Sequence, residues 1–148
     1  MGQMILIAMA LATGAMIPLQ LAFNGQLGTA LKGPVMASFF VFLTGVLATG
    51  LVLLVARTPL PDVATMKAVP ISAWVGGIIA TLYILAVVYL VPKLGVGSAA
   101  VLIIAGQLVT ALVLDHLGAF GTAQSSITLV KAGGAGLVLA GAALVRFA

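Results

Sequence analysis

Apolar residues in this chain neither alternate with polar ones nor recur on one helical stripe; they run on without interruption. Five runs are long enough to cross a bilayer, for which an α-helix needs about 20 apolar residues over roughly 30 Å of hydrocarbon. The pattern predicts helices over about 4–31, 34–56, 71–91, 96–114 and 127–146. The first is apolar from Met4 to Phe23 and continues as a more polar extension through Asn24-Gly25-Gln26-Leu27-Gly28. Pro34 suits the start of the second, where a residue has no use for its N–H. Pro92-Lys93-Leu94-Gly95 reads as a tight turn between the third and fourth. The fifth run is the shortest, and Lys131 and Arg146 at its ends reach the headgroups by extending their side chains. A β-barrel would need short segments of period-two alternation, and these runs have none.

Only the connections from Arg57 to Pro70 and from Asp115 to Ser126 have real length, and neither holds a domain outside the membrane. The N-terminal Met-Gly-Gln-Met-Ile-Leu lacks the basic segment of a signal peptide and reads as the start of a retained span. The expected fold is an all-α integral membrane protein, one transmembrane domain over residues 1–148 with five transmembrane helices.

Composition agrees. Hydrophobic residues make up 64% of the 148 and charged residues 5%, against about 45–50% and about 25% in a soluble domain. Mean hydropathy is +1.38. So few charges cannot coat a water-facing surface, and lipid must replace it. The net charge of +4 does not point to nucleic acid, because six scattered Lys and Arg form no patch. The absence of Cys excludes disulfides, thiolate metal sites and cysteine nucleophiles. No residue pattern calls for a cofactor or a metal.

Charge matters more for orientation. With five spans, Arg57, Lys67 and Lys131 fall on one face and Lys32, Lys93 and Arg146 on the other. Orientation follows the Lys/Arg bias between loops, and acidic residues such as Asp62 and Asp115 count little. Three cations against three give the insertion machinery no instruction. A tie also arises by chance, but it fits dual topology, in which copies insert both ways and pair as an antiparallel homodimer. The pair would be related by a two-fold axis in the membrane plane, the symmetry that inverted-repeat transporters carry within one chain. A homologous five-helix partner of fixed opposite orientation is the competing arrangement.

Small residues let helices approach closely in lipid. Ala132, Gly136 and Ala140 recur every fourth residue in the fifth span, flanked by Gly133, Gly134 and Gly141. Gly76 with Ala80 and Gly77 with Thr81 do so in the third. Such spacing also serves ordinary packing within a chain. Its density in the fifth span assigns that face to a helix–helix contact, with the dimer seam as a candidate.

Polar side chains within spans are costly and tend to face a bundle interior or a wet cavity. Thr13, Gln20 and Asn24 share a stripe of the first helix near Pro18, which frees a backbone carbonyl. Gln107 and Thr110 lie a turn apart in the fourth helix, and Tyr83 lies midway along the third. These six are the candidate substrate pathway. The plainer alternative is that they bond across helices, at about 0.6–2 kcal/mol each. Trp74 and Tyr89 read as interfacial belt residues.

No charged residue or histidine falls at mid-membrane depth, so Asp115 and His116, at the end of the fourth helix, are the candidates for ion coupling. A hydrolase could be sought in Asp115, His116, Ser125 and Ser126, but a triad needs His held between Ser and Asp by a rigid scaffold. No G-x-S-x-G elbow occurs either. The chain is expected not to be an enzyme. A solute transporter, a small ion channel and a non-transporting accessory subunit remain.

Several segments together resemble a known family. They are Asn24-Gly25-Gln26-Leu27-Gly28, Gly33-Pro34-Val35-Met36-Ala37-Ser38-Phe39-Phe40 with Gly45, Trp74-Val75-Gly76-Gly77 with Tyr83, and Pro92-Lys93-Leu94-Gly95. The most specific are Ala105-Gly106-Gln107-Leu108 and Asp115-His116-Leu117-Gly118 with Gly121. In order and spacing they resemble the YdcZ-type proteins of the drug/metabolite transporter superfamily. The resemblance implies five-helix units acting in pairs, as separate chains or fused, and transport of small molecules across the cytoplasmic (inner) membrane. Ala73 stands where that pattern has a second aromatic beside Trp74. The central glutamate of the superfamily's small multidrug exporters is missing, so cation/proton exchange is not implied. The partners expected are lipid, a second copy or a homologous five-helix chain, and a small-molecule substrate held by neutral groups such as Asn24 and Gln107.

Overall fold

A computed structural model describes residues 2–147. Among them five helices are long and apolar enough to cross a membrane. They are α1 (Gly2–Ala30), α2 (Pro34–Val55), α4 (Ile71–Leu94), α5 (Val96–Leu117) and α6 (Leu129–Phe147), with a short α3 (Val63–Ala68) between the second and third spans. At about 1.5 Å per residue, the 29 residues of α1 exceed the hydrocarbon thickness, so its ends reach the headgroups or the helix tilts. Pro18 lies inside α1 without breaking it.

The expected spans recur with shifted ends. The turn expected over Pro92–Gly95 is narrower: α4 runs through Pro92 to Leu94, and Gly95 alone, at φ 79, separates it from α5. Pro92 gives up the bond its nitrogen would make to the Val88 carbonyl, yet the helix runs two residues further and stops only at Gly95, whose positive φ suits glycine. α5 extends three residues beyond the expected Leu114, so Asp115 and His116 occupy its last helical turn, and left-handed Gly118 caps it. α3 was not expected in the Arg57–Pro70 connection.

Its start is explained by Asp62, whose carboxylate accepts the Thr65 backbone N–H at 2.7 Å. Bonding by Thr65, through its side chain first and its backbone second, holds the Asp62 carboxyl below its ordinary 3.8. A carboxylate with a lowered folded value supports its helix above the unfolded value and loses that support as pH falls through the folded one. The Thr65 amide resonance in detergent micelles is therefore expected to move as pH falls below about 4. In Asp62→Asn, which caps without titrating, it should stay put. Identical titrations in the two proteins would refute the cap.

α1 and α2 end alike. After α1, Lys32 is left-handed at φ 54 and the Gly33 N–H returns to the Gly28 carbonyl at 3.1 Å. After α2, Arg57 is left-handed at φ 50 and the Thr58 N–H returns to the Leu53 carbonyl at 3.1 Å. Both are Schellman closures with a cation where glycine is usual.

The chain divides into two compact units. One comprises residues 20–93, in which the later part of α1 packs with α2 and α4. Its core holds Leu21, Ala37, Ile84, Val87, Val88 and Val91, with Leu27, Val41, Phe42 and Tyr83 packed against Ala37, Ile84 and Val88. The other comprises the residues up to Leu19 and from Leu94 onward, where α5 packs against α6. Its buried side chains are small: Ala99, Ala100, Ala105 and Ala142. Large aliphatic residues such as Leu47, Leu54, Ile71 and Leu129 stand exposed. In water that surface would aggregate; in a bilayer it matches its solvent.

Candidate functional site

In the unit of residues 20–93, α1 meets α4 through glycine. A Cβ on Gly28 would overlap Val88 Cγ1, and one on Gly25 would come to 2.8 Å of Val91 Cγ1. The same unit buries two polar side chains: Asn24 on α1, next to Gly25 and 6% exposed, and Ser38 on α2, 3% exposed. The Asn24 amide nitrogen and the Ser38 hydroxyl have no hydrogen-bond partner. Leaving a buried polar group unpaired costs about 1–3 kcal/mol, so each is expensive as it stands.

Threonine hydroxyls behave differently. Those of Thr29, Thr44, Thr81 and Thr110 donate to the carbonyls of Gly25, Phe40, Gly77 and Gly106, four residues back, at 3.1, 3.0, 2.9 and 3.0 Å. Such bonds satisfy a hydroxyl within its own helix. Thr110, a candidate pathway residue, has therefore committed its proton.

The other candidates divide between the units. Gln20 is exposed, and Tyr83 is half-buried against the Ala37–Ile84–Val88 cluster, both in the same unit as Asn24. Thr13, Gln107 and Thr110 belong to the other unit, and all three are exposed. Ser38 is not among the amides, threonines and tyrosine that the sequence marks as pathway candidates. The signal available was its position: Asn24 lies six residues before the end of α1 and Ser38 four after the start of α2.

Asp115 and His116 help fold the α5–α6 connection. The Ser125 N–H donates to the Asp115 carbonyl at 2.8 Å, Gln124 Nε2 to the His116 carbonyl at 3.1 Å, and the Ile127 N–H to His116 Nδ1 at 3.4 Å. Lys131 Nζ donates to Ser125 Oγ at 2.6 Å and to the Ser126 carbonyl at 3.3 Å. Ser125 Oγ is thus bonded by lysine, and His116 Nδ1 by the Ile127 backbone.

On α6, Lys131, Ala135 and Gly141 are half-buried and Ala142 is buried, while Ala132, Gly136 and Ala140 are exposed. A Cβ on Gly136 would meet nothing within 4 Å. Within the unit that holds α5 and α6, the stripe faces away from the packed side chains. Lys93 Nζ donates to Tyr89 Oη and lies over the ring, 3.8 Å from its centroid. Trp74 and Tyr89 are both about half exposed, as belt residues are. Two grooves along α2 near Gly50, of about 570 and 520 Å³, are lined by Val, Leu, Phe and Gly with one threonine each, Thr58 and Thr49. They suit an acyl chain and offer little to orient a polar solute.

A family model described as "Putative inner membrane exporter, YdcZ" matches residues 5–144. No curated protein and no solved structure matches. With nearly its whole length matched, the chain belongs to the YdcZ family, a multi-pass inner-membrane protein of transport type.

Proposed function

We propose that this chain exports small neutral or zwitterionic solutes across the inner membrane, working as an antiparallel homodimer with the pathway between two five-helix subunits. The observation that carries this is the polar inventory of the spans: amides and hydroxyls, with every charged residue confined to helix ends and connections. Amides donate and accept, so Asn24, Gln20 and Gln107 can exchange hydrogen bonds with an uncharged solute. No mid-depth acid is present to trade a proton for it. Proton coupling, if used, falls to Asp115 or His116 near the membrane surface.

The equal cation split supports pairing of oppositely inserted copies, and the unoccupied Ala132–Gly136–Ala140 stripe supports a place for them to meet. C-terminal reporters active on either side of the membrane should both give signal. Two lysines added beside Lys93 should bias the orientation and lower flux into proteoliposomes made with the purified chain alone. A single orientation in the unaltered chain removes the homodimer; no flux for any solute that raises its melting temperature removes transport.

The stripe has its own test. Gly136→Leu should leave the α5–α6 unit folded, since a Cβ there meets nothing within 4 Å, yet dissociate the dimer by preventing backbone approach. Val138→Leu should leave the dimer intact. Equal dimer fractions for the two variants in cross-linking would return the stripe to the lipid.

A further inference from the structure

We propose that Asn24 and Ser38 together form a solute subsite inside the α1–α2–α4 core, closed in this conformation, which takes a neutral solute through a hydroxyl, carbonyl or amide oxygen. The subsite deepens the transport reading and rests on it for its purpose, but its test does not depend on flux.

Four observations carry it. Both side chains are more than nine-tenths buried, and the amide nitrogen of one and the hydroxyl of the other have no partner. Thr29, Thr44, Thr81 and Thr110 bond back to their own helices, whereas the Asn24 amide nitrogen and the Ser38 hydroxyl, on consecutive helices, are free to bond an outside group. They also lie at similar depth: at about 1.5 Å per residue, Asn24 is roughly 9 Å from the end of α1 and Ser38 roughly 6 Å from the start of α2. The α1–α4 seam in the same unit is made of glycine against valine methyls, a contact that separates without breaking a polar bond. Finally, α1 and α2 contain no charged residue and α4 only Lys93 near its end. A charged solute would shed its water and meet no counter-charge. A neutral one gains an N–H donor from Asn24 and a donor–acceptor from Ser38.

The native chain has no cysteine, so single thiols can be read without background. Ser38→Cys in proteoliposomes is treated with N-ethylmaleimide, which is small, neutral and carbonyl-bearing, and with cationic and anionic methanethiosulfonates. Thr58→Cys, exposed between α2 and α3, gives the reference rates. The expected result is that Ser38→Cys reacts with the maleimide and discriminates against both ions by tenfold or more relative to Thr58→Cys, because an ion must desolvate to enter. No reaction with any reagent means a rigid packed core and overturns the subsite. The same neutral-to-charged ratio as Thr58→Cys means an open wet path and overturns it equally. Asn24→Cys is assayed alongside in case Ser38→Cys fails to fold. A chain that labels selectively but moves no solute removes the transport reading and leaves the subsite. One that moves solute but does not label removes the subsite alone.

Discussion

Gly28→Ala is expected to destabilise the folded chain by about 1–3 kcal/mol, the usual range for overpacking a tight contact, and Val88→Ala in the same chain should restore most of the loss. The added methyl would overlap Val88 Cγ1 and stand 3.5 Å from the Val88 carbonyl oxygen and 3.7 Å from its Cβ. Valine in a helix has one strongly preferred rotamer, so its methyl cannot swing aside and the helices must part. Parting them also loosens Gly25 against Val91. In lipid no hydrophobic drive pulls them back, since close packing itself holds helices together. Gly77→Ala is the control, because a Cβ there meets nothing within 4 Å and alanine favours the helix. Thermal unfolding in detergent reads all four proteins. A Gly28→Ala chain as stable as the native one would mean the seam does not hold α1 to α4.

Asn24→Leu is expected to raise stability while lowering transport. Leucine has nearly the shape of asparagine, and replacing an unpaired buried polar group by an apolar one of similar shape recovers part of a penalty of about 1–3 kcal/mol. If Asn24 meets the solute, flux should nonetheless fall tenfold or more, equivalent to about 1.4 kcal/mol in the transition state. Gln107 is exposed, so Gln107→Ala should lower flux without that gain in stability. Asp115→Asn should reduce flux only in part, because it is the Asp115 backbone carbonyl that holds the connection, through Ser125. Elimination of flux by Asp115→Asn, with Asn24→Leu still active, would move the functional centre to the carboxylate.

Spans were legible because lipid demands one thing of each, about 20 apolar residues, and that demand is written locally. Helix ends were less so. Pro92 forfeits one bond without ending α4, which runs on to Leu94, and α3 starts at an Asp62 cap in a stretch too short to show a helical period. Of the candidate site, Asn24 stood out in the sequence as an amide within a span, but its burial did not, since Thr13 and Gln20 on the same stripe of α1 are exposed. The importance of Gly25 and Gly28 lies in Val91 and Val88, some sixty residues away, a pairing that no local pattern contains. Ser38 was hidden for the same reason, because a small hydroxyl becomes notable only when its own helix leaves it unpaired.

Lys32 and Arg57 each hold a left-handed backbone at the end of a spanning helix, a conformation that costs an L-residue roughly 1–2 kcal/mol and glycine almost nothing. A search for thermostability would single out both positions for replacement by glycine. Yet these two residues are also a third of the chain's cations, and each sits where a positive charge meets the negative end of a helix and weighs on which way the helices insert. Glycine at either site would yield a sturdier subunit with an altered charge tally between the faces. The strained caps are thus a place where membrane orientation and folding stability draw on the same side chain, and a variant chosen for one property will shift the other.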